Sequence, residues 1–251
     1  MKKGVYYGVC VAALFLSACN TSYSVVSVEG GRVPITQAYD ANQDMDAWRI
    51  LQPYQEGVDS IMKPVIGEAA QKLEAYRPES PLSNLLADIL RNSAETKAGI
   101  KADVGVMNMG GIRGLLNKGE ITIASAYEIA PFENRLAVVT LKGADLLDLF
   151  GQMAAVHGEG LSGATLAISK EGKLLDAKVG GEQVDPEKDY QVATIDYLAE
   201  GNDRLGAFKK ATAKVEPENA VLRDLFIEYV KRVEAAGRCV DAKIEGRIVE
   251  R

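Results

Sequence analysis

Asn108-Met109-Gly110-Gly111-Ile112-Arg113, with Pro131-Phe132-Glu133-Asn134 at the end of the same stretch, decides how this chain is read. Asp103 to Met107 reads as a buried strand that runs straight into the glycine pair. Adjacent glycines let backbone N–H groups come close to an anion, and an arginine offers a planar fork for phosphate or carboxylate. Nineteen positions after Arg113 stands Phe132, whose ring at a loop tip can stack on a planar base. Taken as chemistry alone, these residues describe a pocket for an anion and an aromatic group.

Outward from that stretch the elements are short and mixed. Upstream, Ser80 can cap a helix and Pro81 suits its first turn. Leu82, Leu85, Leu86, Ile89 and Leu90 share one face, and Gly99 stops it. Downstream, Leu136 to Leu141 reads as a strand and Gly143 to Val156 as a helix. Strands are expected near Thr165–Ser169, Lys173–Val179 and Tyr190–Ile195. Asn219 to Ala235 has the apolar stripe of a long amphipathic helix, and a last strand is expected near Lys243 to Val249. Between Asp46 and Val65 a helical stripe is interrupted by Pro53 and Pro64, either of which can end or kink it. Strands and helices without strict alternation argue for an α+β fold with mixed sheets.

At the N-terminus, Lys2 and Lys3 precede an apolar run from Val5 to Leu16, the pattern of a secretion signal over residues 1–18. Leu16-Ser17-Ala18-Cys19 has the form of a lipobox, so Cys19 is the expected lipidation site. Residues 19–44 then read as a lipidated tether, with a short strand at Tyr23 to Val28, and residues 45–251 as one domain. Asn20 is not the aspartate that commonly signals inner-membrane retention, which favours the periplasmic side of the outer membrane. Losing Lys2 and Lys3 with the signal moves the formal charge from −6 to −8. An acidic chain is a poor fit to nucleic acid, so an anionic small ligand has to be held by a local basic cluster. Cys10 leaves with the signal and Cys19 is lipidated. Cys239 therefore has no intramolecular partner and is expected as a small buried residue.

Four motifs in order resemble the C-terminal, substrate-binding domain of the 5′-nucleotidase family. Asn108 to Arg113 is similar to its Asn-Gly-Gly-Gly-Ile-Arg, and Pro131 to Asn134 to its Pro-Phe-Gly-Asn. Glu79-Ser80-Pro81-Leu82-Ser83-Asn84-Leu85 is similar to Glu-Ser-Pro-Leu-Gly-Asn-Leu. Asp196-Tyr197-Leu198-Ala199-Glu200-Gly201-Asn202-Asp203 is similar to Asn-Phe-Leu-Ala-Asn-Gly-Gly-Asp. The matches span roughly residues 45 to 210. The resemblance implies a layered α/β/β/α sandwich of mixed sheets between helices. It also implies a site in which Arg113 meets phosphate, Phe132 and Tyr197 sandwich the base, Asp203 takes the ribose hydroxyls and Asn108 lies near base and ribose. Gly110 and Gly111 form the turn between them. Arg77, two residues before the Glu-Ser-Pro motif, falls where the family carries phosphate-facing arginines. Asn202, Arg204 and Leu205 depart from the family's Gly-Gly-Asp-Gly-Phe, which puts the shape of that loop in question.

Family members that hydrolyse nucleotides carry a metallophosphatase domain with two metals. Paired-metal hydrolysis needs a cluster of imidazole and carboxylate ligands. This chain has a single histidine, His157, so no catalytic residue and no metal or other cofactor is expected in it. Gly160-Leu161-Ser162-Gly163-Ala164 lacks the Gly-x-Ser-x-Gly elbow, which argues against a triad of Ser162 with His157. The expectation is the nucleotide- or nucleoside-recognition half of a split 5′-nucleotidase, inactive alone, whose partner chain is a separate metallophosphatase holding divalent metals. A stand-alone periplasmic nucleotide-binding lipoprotein and a surface-interaction domain without ligand are the alternatives.

Overall fold

The computed structural model describes residues 23–251. The expected signal and lipidated Cys19 lie outside them. The chain divides into two units, Met1–Leu51 and Gln52–Arg251. In the first, residues 23–36 have no regular structure and are exposed, so the expected strand at Tyr23 to Val28 does not form. A lone strand has no neighbour to take its backbone hydrogen bonds. A 3-10 turn follows at Gln37–Asn42.

Helix α1, Met45–Met62, starts where the Asp44 carboxylate accepts from the N–H groups of Asp46 and Ala47 at 3.0 and 3.1 Å. It runs through Pro53, which removes one backbone donor but does not end it. None of its residues is buried. Trp48, Leu51, Tyr54, Val58 and Ile61 are all exposed.

After α1 the second unit continues with β1, Val65–Ala69. Helix α2, Pro81–Ala98, starts at Pro81 and ends at left-handed Gly99, as the sequence predicts. Ser80 holds the N-cap position, but its hydroxyl pairs with that of Ser83 at 2.7 Å instead of capping. Next come β2 (Val104–Met107), β3 (Gly119–Thr122), α3 (Ile123–Ile129), β4 (Leu136–Lys142) and α4 (Gly143–Ala155). They are followed by β5 (Gly160–Ser162), β6 (Ala164–Ile168), β7 (Leu174–Val179), β8 (Glu182–Gln183) and β9 (Asp189–Ile195). The last elements are α5 (Asp196–Ala199), β10 (Ala213–Val215), α6 (Leu222–Ala235) and β11 (Ile248–Glu250).

Mixed sheets and helices form the fold, as expected. The central sheet has the order β10-β4-β9-β2-β5, with β2 and β9 parallel and the other pairs antiparallel. A second sheet runs β11-β6-β7-β8, and β1 and β3 form a separate antiparallel ribbon. Helix α2 packs on β2 and β5, while α4 touches β4 and β9 of the central sheet and β7 of the second. Phe150, Phe226, Leu82 and Leu86 are fully buried. Each such side chain is worth ~1.5–3 kcal/mol relative to exposure.

The Glu79-to-Leu85 motif ties this core to the C-terminus. The buried Glu79 carboxylate accepts from the Asn84 amide at 2.7 Å and from the N–H groups of Glu245 and Arg247 at 2.7 and 2.9 Å. Arg247 makes a two-pronged pair with Asp88, both contacts 2.8 Å. The final strand is consequently shorter than the sequence suggests, because residues 243–247 spend their backbone on this clasp. Cys239 is exposed, contrary to the expectation that it packs inside.

Candidate functional site

Strand β2 delivers Asn108 to the rim of the central sheet, and a 3-10 turn over Met109–Gly111 follows at once. The turn needs glycine for room. A Cβ on Gly111 would lie 2.7 Å from Asn108 Oδ1, and one on Gly110 would lie 3.2 Å from Asp203 Oδ2. The Gly111 N–H already donates to the Asn108 carbonyl at 3.2 Å, so it is committed within the turn instead of being free for an anion.

On the other side of the same opening, β9 leads into α5 and the loop to Asp203. Asn108 Nδ2 donates to Asp203 Oδ2 at 2.5 Å, and the Tyr197 hydroxyl donates to Asp203 Oδ1 at 2.9 Å. That hydrogen bond, with the carboxylate's charge, raises the Tyr197 phenol above its usual range, so it remains a donor. Asn202, where the resembling motif has glycine, braces the loop by donating to the Tyr197 carbonyl at 2.8 Å. Asp203 and Arg204 both adopt left-handed backbone, with φ of 52° and 66°, and Leu205 is fully buried behind them.

Arg113 follows the glycine turn. Its guanidinium lies 6.0 Å from the centre of the Phe132 ring and donates to the Gly110 carbonyl at 3.3 Å. Among the described residues it makes no ion pair, so its charge is not spent on a neighbouring acid. Phe132 and Tyr197 are 46% and 43% exposed, and both rings face the same opening.

One cavity of about 400 Å³ is lined by Asn108, Gly110, Gly111, Arg113, Phe132, Tyr197 and Asp203, seven of the eight binding residues singled out from the sequence, and by Asn134. Arg77 is not among them. It lines an adjoining recess with Glu159 and Arg204, where its guanidinium pairs with Glu159 at 2.5 Å and donates to the Gly158 carbonyl at 2.8 Å. Glu159 was not legible as a site residue. It is buried beneath the glycine turn and accepts from the Met109 N–H. Burial pushes its carboxyl above the ordinary range, against the pull of Met109 and Arg77.

The family match covers residues 65–210 and is to the 5′-nucleotidase, C-terminal domain. The chain belongs to this family. It is 32% identical over 201 residues to endonuclease YhcR of Bacillus subtilis, covering 77% of this chain and 16% of that protein. With cell wall protein Lmo0130 of Listeria monocytogenes it shares 33% over 189 residues, or 68% of this chain and 24% of the relative. The solved 5′-nucleotidase precursor from Thermus thermophilus superposes with a TM-score of 0.71 at 29% identity, covering 83% of this chain and 43% of that one. The chain thus spans less than half the length of each of these relatives.

A carboxylate has about four lone-pair positions. Asn108 and Tyr197 use two of those on Asp203, so its carboxylate keeps acceptor capacity in the cavity. Hydrolysis is a different matter. Among the described residues no three His, Cys, Asp or Glu side chains are grouped as metal ligands. His157 sits near Glu250 at 3.3 Å, with both side chains partly exposed, and Ser162 is buried in β5. The described residues therefore do not group the imidazole and carboxylate ligands that a paired-metal centre uses.

Proposed function

We propose that the chain recognises a nucleotide or nucleoside, as the binding half of a split 5′-nucleotidase whose metals reside on a separate metallophosphatase chain. One observation carries this reading. A single cavity gathers two half-exposed rings, an arginine with no acidic partner among the described residues and a carboxylate with acceptor capacity to spare. The base stacks on Phe132 and Tyr197, the ribose diol bonds Asp203 beside Asn108, and the phosphate meets Arg113. Gly110 and Gly111 leave room for the ligand to approach. What supports the split is the single histidine of the sequence, since paired-metal hydrolysis draws on several imidazole and carboxylate ligands. An envelope location fits the Listeria relative, named a cell wall protein, and the lipobox at Cys19.

Calorimetry with AMP and adenosine tests the recognition. Charge-assisted hydrogen bonds are worth ~1.5–3 kcal/mol, so Arg113→Ala should weaken AMP about 10- to 100-fold and leave adenosine nearly unchanged. No heat with either ligand on the wild-type chain would sink the reading. The purified chain should release no phosphate from AMP until a metallophosphatase chain and divalent metal are added. Hydrolysis by the chain alone would remove the split while leaving recognition intact.

A further inference from the structure

The turn that carries Phe132 is held from behind by a residue outside the cavity. Arg223, in the first turn of α6, is only 5% exposed. Its guanidinium lies 4.0 Å from the centre of the Tyr127 ring. Nη1 donates to the carbonyls of Ala130 and Pro131 at 3.5 and 3.4 Å, and Nη2 pairs with Glu133 at 2.5 Å. These hydrogen-bond partners fall on both sides of Phe132. Two backbone bonds extend the seam, from Leu222 N–H to the Asn134 carbonyl and from Leu136 N–H to the Ala220 carbonyl, both 2.8 Å.

Burying a guanidinium is unfavourable unless its donors are used, and Arg223 Nε is buried without a partner. An apolar side chain would fill this position without that penalty. What it would not do is grip two carbonyls and a carboxylate of one short turn. Phe132 gains little fixation from its own ring, which stays half exposed. Ordering even a few backbone residues costs as much as one stacked base returns, so a loose turn would cancel the benefit of the ring.

We infer that Arg223 is a positioning residue for the aromatic wall of the cavity: by clamping residues 130–133 it fixes the Phe132 ring in place before any ligand arrives, so that a flat ligand group stacks without first ordering the turn. The inference rests on the nucleotide-binding reading for its ligand, but not for the clamp itself.

Two measurements on the full chain separate these parts. With 4-fluorophenylalanine at position 132, the ligand-free wild type should give one narrow fluorine line, and Arg223→Gln should broaden or split it. Calorimetry with adenosine should show Arg223→Gln weakening binding about five- to tenfold, and adding nothing further in a Phe132→Ala background. An unchanged fluorine line, or an equal loss in both backgrounds, overturns the positioning role. If Arg223→Gln does not fold, Glu133→Gln decides instead. Glu133 is 76% exposed at its side chain, and its replacement should broaden the same line and weaken adenosine about twofold; no change in the line overturns the proposal. A wild type that binds no adenosine, together with a line that Arg223→Gln broadens, sinks the nucleotide reading and leaves the clamp standing.

Discussion

The cavity's two turns are built in opposite ways. Residues 108–111 leave a buried strand directly, so the sheet itself aims Asn108, and two acids finish the job, Asp203 on its amide and Glu159 on the Met109 N–H. Residues 130–134 hang beyond α3, and their side-chain anchor comes from Arg223, ninety residues further on. A wall grown out of a sheet is fixed by local geometry, whereas a wall made of a loop has to borrow its rigidity from elsewhere in the chain. The cavity draws Asn108, Gly110 and Gly111 from the sheet-borne turn, and Phe132 and Asn134 from the borrowed one.

The contrast breaks most visibly if both rings go. Stacking contributes ~1–3 kcal/mol per ring, so Phe132→Ala with Tyr197→Ala should weaken adenosine by about 30-fold or more in calorimetry. Retained affinity would mean that the rings are not a base platform.

A smaller effect belongs to Tyr197 alone, which combines a ring with a hydroxyl fixed on Asp203. Tyr197→Phe keeps the π-face and releases one carboxylate oxygen. Adenosine should weaken about two- to fivefold while 2′-deoxyadenosine hardly changes, because an exposed hydrogen bond to a charged group contributes about 1 kcal/mol or less. Equal losses for the two sugars would place the hydroxyl's role outside ribose recognition.

The smallest effect concerns Glu159 and is read as stability against pH. Its folded-state pKa is raised by burial, so the folded protein binds this proton more readily than the unfolded chain. That contribution is full below the ordinary glutamate range and fades as pH rises through the raised value. Glu159→Gln should flatten this segment of the profile in denaturant titrations run across the acidic range. A mutant curve parallel to that of the wild type would show that another group titrates there.

Much of the sheet-borne side was legible. The apolar strand before a glycine pair, Pro81 and Gly99 bounding α2, and the stripes of α4 and α6 are local patterns, and local patterns survive into the fold. All eight cavity residues stand at motif positions, although Asn134 was not singled out among them. What stayed hidden depends on distant partners. Glu159 lies between two glycines with no periodicity to mark it, and its meaning depends on Met109, fifty residues earlier. Arg223 sits in an amphipathic helix, where a charge ordinarily reads as solvated. Strands β1 and β3 are short and take their identity from each other. Pro53 reads as a break in the stripe, yet one missing N–H does not end a helix of eighteen residues.

Asp203 and Arg204, consecutive residues with φ of 52° and 66°, give the cavity rim a further significance. A side chain in the left-handed region is disfavoured by roughly 1–2 kcal/mol relative to glycine, and Arg204 occupies a position where the resembling motif has glycine. Arg204→Gly would therefore exchange a side chain lining the recess beside Arg77 and Glu159 for a relaxed backbone, and the stability gained can be weighed directly against any binding lost.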